Sequence, residues 1–314
     1  MMRFFDHWSP SVAILTESEI WPNLIREART REVPLLLVNG RISPRSFKRW
    51  RARYKIARPL FSSLDLVLAQ NDRYAGYFER LGSRNVLDAG NLKMDAPPPP
   101  VDKGALQKFK KAIGTRPVFL AASTHPGEED IIAGVHRALK KDMPDLLTII
   151  VPRHPVRGGE ICEMLEGEDL SCIQRTNRDT PEASHDIYVA DTIGELGLFY
   201  DLAPVAFVGG SLVKHGGQNP IEAIMHNTAV LTGPNVHNFE EAYAALLEGE
   251  ACMEVTTLED LTTQARRLFQ DEKARKKLIA RAQAKVDEMR GALDVTLDAL
   301  EAYLPPAKEK RRAS

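Results

Sequence analysis

The densest chemical signal in this chain of 314 residues is V-A-F-V-G-G-S-L-V-K-H-G-G-Q-N-P-I-E-A-I, residues 205–224. A short buried-type strand runs straight into Gly209-Gly210-Ser211, and a second pair, Gly216-Gly217, follows. Glycine lets a backbone approach a ligand closely and turn its amides outward. Asn219 before Pro220 suits the cap and first position of a helix, with Glu222 two residues further in. A helix start carries partial positive charge, so the pattern predicts a phosphate at Gly210, Ser211 and Asn219–Glu222. Glu222 has a second reading, as the capping-box partner of Asn219.

Three further strand-to-helix junctions repeat this grammar. In F-L-A-A-S-T-H-P-G-E-E, Ser123 and His125 face a crevice, while Pro126 and Glu128 suit a capped helix. In I-I-V-P-R-H-P, Arg153 and His154 follow an apolar run and offer donors to phosphate. In V-A-D-T-I-G-E-L, Asp191–Glu195 opens a helix, where Asp191 or Thr192 also serves as a cap. Ligands of open α/β sheets bind beyond the carboxyl ends of strands, so four such junctions predict one shared crevice.

Earlier in the chain, T-E-S-E-I-W-P-N-L sets Glu17 and Glu19 just after an apolar run, placed for acid–base work, for holding an acceptor, or for charging a helix start. Between Val33 and Leu64 there are eight basic residues and no acidic one. Arg41, Arg45, Lys48, Arg49, Arg51 and Arg53 belong to this run, with Trp50 and other aromatics interleaved at helical spacing. That combination suits an anionic membrane surface, a phosphorylated lipid or nucleic acid. It also suits a solvated basic helix whose aromatic stripe is core.

Short apolar runs alternating with amphipathic stretches must position these residues. Strands are expected at Val12–Leu15, Pro34–Val38, Leu66–Ala69 and Val86–Ala89, and a single helix over Pro44–Phe61. Pro97–Pro100 reads as a stiff linker, which places a partial first domain at 1–96 and a linker at 97–104. Seven more strand runs follow, so 105–304 reads as a full second domain that includes C-terminal helices, with a basic tail at 305–314. The fold class is α/β with parallel sheets. A net charge of −1 gives the whole molecule no bias toward nucleic acid. Three scattered cysteines argue against a disulfide framework or a metal site, and no apolar run is long enough to cross a bilayer.

Together these phrases resemble the 3-deoxy-D-manno-octulosonic acid (Kdo) transferase family. T-E-S-E-I-W-P-N-L, N-G-R-I-S, A-Q-N-D-R-Y, G-N-L-K-M-D, A-S-T-H-P-G-E-E, P-R-H-P, D-T-I-G-E-L, F-V-G-G-S-L and G-G-Q-N-P-I-E-A occur in family order. The resemblance implies a GT-B fold of two Rossmann-like domains, the first incomplete here. It implies transfer of Kdo from CMP-Kdo to a lipid A precursor in lipopolysaccharide synthesis, without metal or cofactor. Pro152, Arg153, Ile193, Gly194, Glu195, Asn219, Pro220, Ile221 and Glu222 would contact CMP. Glu19 would be a supporting acid. The family's membrane anchor and the glycine-rich segment bearing its base are not in this sequence. The expected setting is the cytoplasmic face of the bacterial inner membrane, with this chain peripheral and no nucleic-acid partner. Rival readings are an inactive CMP- or CMP-Kdo-binding protein and another GT-B nucleotide-sugar enzyme.

Overall fold

The computed structural model describes residues 2–178 and 180–304. The chain divides into two compact units, one built from residues up to Ala96 plus the segment starting at Met289, the other from Pro97–Glu288.

The first unit contains α1 (Met2–Trp8), β1 (Ala13–Thr16), α2 (Pro22–Thr30), β2 (Leu35–Gly40), α3 (Pro44–Ala52), α4 (Tyr54–Phe61), β3 (Leu66–Ala69), α5 (Asp72–Leu81) and β4 (Val86–Asp88). Its four strands pair in parallel in the order β1-β2-β3-β4. Strand β2 is buried along its whole length, as a parallel strand covered on both faces must be. Leu35, Leu37 and Val67 join Phe47, Phe61 and Phe78 in one core. The expected helix over 44–61 is two helices, because Arg53 leaves the helical region at φ −113° and ψ 40°. The break lets Phe47 of α3 and Ala57, Leu60 and Phe61 of α4 reach the same core.

The second unit runs α6 (Lys103–Ile113), β5 (Val118–Thr124), α7 (Glu128–Lys140), β6 (Leu147–Pro152), α8 (Gly158–Gly167), β7 (Cys172–Gln174), β8 (Ile187–Val189), α9 (Leu196–Tyr200), β9 (Val205–Val208), α10 (Ile221–Met225), β10 (Ala229–Thr232), α11 (Glu240–Glu248), β11 (Met253–Glu254), α12 (Leu258–Gln270) and α13 (Glu272–Glu288). Its parallel sheet has the order β11-β10-β9-β5-β6-β8-β7. After β8 the chain returns to the other side of β5, so β5 and β9 flank the topological switch point.

Three expectations need correction. The last helix, α14 (Ala292–Glu301), belongs to the first unit and not to the second. The first sheet has a second apolar face, Leu36, Val38, Leu66 and Leu68, and Leu300 of α14 covers it. Asp95 fixes the start of that helix by accepting hydrogen bonds from Gly291 N at 2.8 Å and Leu293 N at 2.7 Å. The proline run is not a free linker. It packs on the second unit, where a Cβ on Gly197 would sit 2.5 Å from the Pro99 carbonyl oxygen, and that carbonyl accepts from His226 Nε2 at 3.1 Å. Finally, Cys162 and Cys172 form a disulfide, because the turn from α8 into β7 brings their Cα atoms to 5.6 Å. The expected basic tail at 305–314 lies outside the described residues.

Candidate functional site

The switch point of the second unit is held shut by one carboxylate. Glu128, fully buried at the start of α7, accepts four backbone N–H bonds. Oε2 takes His125 N at 2.9 Å and Gly210 N at 2.7 Å. Oε1 takes Ser211 N and Leu212 N, both at 3.0 Å. Burial raises the Glu128 pKa, and the four amide bonds pull it back. The bond to His125 closes the turn before α7, which starts at Glu128 with Gly127 as its cap and not at Pro126 as expected; the other three cross the switch point. The loops meet so closely that a Cβ on Gly209 would lie 2.6 Å from Ser123 O, and Ser123 itself sits at φ +56°.

The adjacent Glu129, also buried, receives Arg157 in a fork at 2.7 and 3.3 Å. Arg157 lies in the turn after β6, so consecutive residues of α7 hold the loops after β9 and after β6. Sequence reasoning missed both. A pair of glutamates at a helix start looks like ordinary capping and dipole charge, and nothing local reveals partners this remote.

This construction changes the role of the glycine loop. The amides of Gly210, Ser211 and Leu212 are taken by Glu128, Gly217 N bonds to Gly210 O at 2.8 Å, and Gln218 N bonds to Gly209 O at 3.2 Å. Gly210 and Ser211 therefore do not form the expected phosphate cradle. Ser211 is fully buried, its hydroxyl donating to Val208 O at 2.6 Å and accepting from Gly233 N at 2.8 Å, which ties the end of β9 to that of β10. Helix α10 begins at Ile221, with Pro220 as its buried cap, and Asn219 Oδ1 accepts from Ile221 N at 3.0 Å. The polar side chains of this loop and its neighbours include Asn219, Glu222, Arg153 and three histidines.

Those side chains converge. Asn219 Nδ2 donates to Glu222 Oε1 at 3.3 Å. Burial raises the Glu222 pKa, opposed by that bond and by the charges of His226 and Arg153. The charge of Arg153 acts on His125 as well as on Glu222. The His125 ring stacks on His215 with centroids 4.1 Å apart and meets His154 edge-on at 6.0 Å. The buried His125 is pushed down to about 4, first by burial and then by His215, His154, Arg153 and Arg157. Pro152 is the buried last residue of β6.

The remaining second-unit residues follow β8, the parallel neighbour of β6. Ile193 is 87% exposed, Gly194 has φ +86°, and Glu195 is bound by Arg175 at 2.7 and 3.1 Å. Arg175 keeps the Glu195 carboxyl below its usual range. Beside them a cavity of about 300 Å³ is lined by Asp102, Lys108, Phe109, Arg175, Thr180 and Glu195. Among the described residues, no group of three or more His, Cys, Asp or Glu is arranged to hold a metal ion.

The first unit's sheet also ends in a polar rim. Glu17, at φ +56° just past β1, pairs with Lys93 Nζ at 2.7 Å and Arg41 Nε at 3.3 Å. The Lys93 bond leads the lowering of its pKa. Asn39, at φ +53°, accepts Leu92 N at 3.1 Å through its side chain and Gln70 Nε2 at 3.1 Å through its carbonyl. Glu19 is exposed and accepts from the Trp21 indole at 2.5 Å. The ion-paired carboxylate of this rim is thus Glu17 and not Glu19. Arg45, Lys48, Arg49, Arg51 and Arg53 are exposed along α3 and its end. Trp50 is not part of that surface: it packs edge-on against Phe61 at 5.5 Å.

Comparison with known proteins agrees with this division. The family model of 3-deoxy-D-manno-octulosonic-acid transferase (kdotransferase) matches residues 1–96. A curated 3-deoxy-D-manno-octulosonic acid transferase of Haemophilus influenzae is 34% identical over 309 residues, covering 96% of this chain and 72% of that protein. Its counterpart in Rickettsia felis is 34% identical over 262 residues, 83% of this chain and 56% of that protein. The chain thus spans between about half and three quarters of these relatives. The crystal structure of the C-terminal CMP-Kdo binding domain of WaaA from Acinetobacter baumannii is 28% identical, with a TM-score of 0.55 over 59% of this chain and 99% of that one.

Proposed function

The chain belongs to the 3-deoxy-D-manno-octulosonic acid transferase family of glycosyltransferases, and from that premise we propose that its second unit binds CMP-Kdo and its first unit receives a lipid A precursor. The observation that carries this reading is the trio Asn219, Glu222 and Arg153 at the switch point of a unit similar to a CMP-Kdo binding domain. Glu222, oriented by Asn219, accepts hydrogen bonds from ribose hydroxyls. Arg153 faces the phosphate and stabilises the charge that develops as CMP leaves. A hydroxyl oxygen of the acceptor attacks the anomeric carbon of Kdo and gives up its proton to solvent, the bond to phosphate breaks, and CMP departs with the electron pair. Pro152, Ile193, Gly194 and Glu195 complete the contacts to CMP, with Glu195 held in place by Arg175.

On the first unit, Arg41 and Lys93 are the cations that meet the acceptor's anionic groups, with Glu17 keeping them ordered until they do. The exposed Arg45, Lys48, Arg49, Arg51 and Arg53 face the anionic headgroups of the membrane's cytoplasmic surface, alongside the exposed Tyr54 and Ile56. No helix among the described residues is long and apolar enough to cross a membrane.

Calorimetric titration with CMP, with UMP as control, tests the donor site. CMP is expected to bind, and Glu222→Ala to weaken it about tenfold, the value of one or two hydrogen bonds to a charged group. Unchanged affinity in that variant removes the role given to Glu222. Incubation with CMP-Kdo and lipid IVA then separates a working transferase from a protein that only binds nucleotide.

A further inference from the structure

The histidines around the switch point have no part in holding CMP as described above. They border the donor residues: Gln218, whose Nε2 lies 3.3 Å from His125 Nε2, precedes Asn219, and His154 follows Arg153. A ligand with its ribose at Glu222 and its phosphate at Arg153 therefore continues onto the imidazoles. His215 and His154 are exposed, and His125 beneath them is fixed by stacking on His215 and by Gln218 Nε2, 3.3 Å from its Nε2. The two carboxylates nearest this wall are already spent, Glu128 on backbone amides and Glu129 on Arg157.

Building on the donor reading above, we propose that His125, His154 and His215 form the subsite for the sugar carboxylate of the donor, and so select an acidic sugar over a neutral one. In a 2-ulosonic acid the carboxylate sits on the anomeric carbon, the same carbon that bears the phosphate oxygen. It must therefore lie next to whatever holds the phosphate. Arg153 and His154 are consecutive residues, and the His154 ring meets that of His125 edge-on at 6.0 Å. An imidazole N–H suits the task, because it donates to a carboxylate oxygen. The amides of Gly210, Ser211 and Leu212 are already engaged with Glu128, and those of Gly217 and Gln218 with loop carbonyls.

The test compares CMP with freshly prepared CMP-Kdo by calorimetry at low temperature, on the whole chain. Wild type is expected to bind CMP-Kdo at least tenfold more tightly than CMP. In His215→Ala and in His154→Ala, both at exposed positions, CMP affinity should stay within twofold while the advantage of CMP-Kdo shrinks severalfold. Equal affinities for the two ligands in wild type overturn the proposal, as does an advantage that survives both substitutions. A wild type that binds CMP-Kdo without binding CMP leaves the histidine subsite standing and removes the reading of Glu222 and Arg153. A wild type that binds neither removes both.

Discussion

Both units end a parallel sheet in a polar rim, and the two rims are built on different physics. In the second unit the organising carboxylate, Glu128, is fully buried and held by four amides at 2.7 to 3.0 Å. In the first, Glu17 is only partly buried and is held by the ends of two flexible side chains, Lys93 and Arg41, whose side chains are 44% and 42% exposed. Amides of packed backbone cannot move away, so the second rim is preorganised. Lysine and arginine tips reorient at little cost, so the first rim can exchange Glu17 for an incoming anion. This fits a small, invariant nucleotide on one unit and a larger, less uniform lipid headgroup on the other.

The strongest way to break this contrast is Glu128→Ala. It strands four buried N–H groups, at about 1–3 kcal/mol each, and should lower the melting temperature of the second unit by at least about 8 °C. Thermal unfolding followed by circular dichroism reads the effect, and a loss under 2 °C would deny Glu128 its central place. Next in size is Leu300→Ala. It uncovers the second face of the first sheet and should cost about 2–3 kcal/mol, seen in denaturant unfolding of the first unit. A neutral result would return α14 to the second unit.

A middle-sized effect concerns pH. His136 is fully buried, its Nδ1 2.9 Å from Thr148 Oγ1, and burial pushes it down to about 4 from 6.5. The unfolded chain then takes up the proton more readily between those values. Stability should fall as pH drops through 6.5 toward 4, and His125 adds to the same slope. Melting curves from pH 7 to pH 4.5 check this, and His136→Gln should flatten the dependence. The smallest effect belongs to Glu17→Gln, under about 1 kcal/mol because its ion pairs are largely exposed. Its signature should instead be tighter retention of phosphate-bearing lipid vesicles in sedimentation. A large stability loss would mean the first rim is as rigid as the second.

Much of the scaffold was readable in advance. β3, β6 and β9 occupy the expected residues Leu66–Ala69, Leu147–Pro152 and Val205–Val208, because a strand buried on both faces announces itself as an unbroken apolar run. The four junctions were readable too, since Asn219-Pro220 and the glycine pairs carry local backbone requirements. The roles within them were less so. Ser211 and Gly210 look like ligand contacts in one dimension and are internal struts in three. Trp50 looks like a membrane aromatic and is half-buried against Phe61.

By itself, then, the sequence determined the period of each element, the parallel α/β class and the family, all of which rest on neighbours a few residues apart. Only the tertiary structure decided which groups face a ligand. Glu128 meets amides 82, 83 and 84 residues away, and Leu300 covers a sheet formed by residues near the chain's start. A buried charge or an uncovered apolar face must find a partner, but its type alone does not say where along the chain that partner lies.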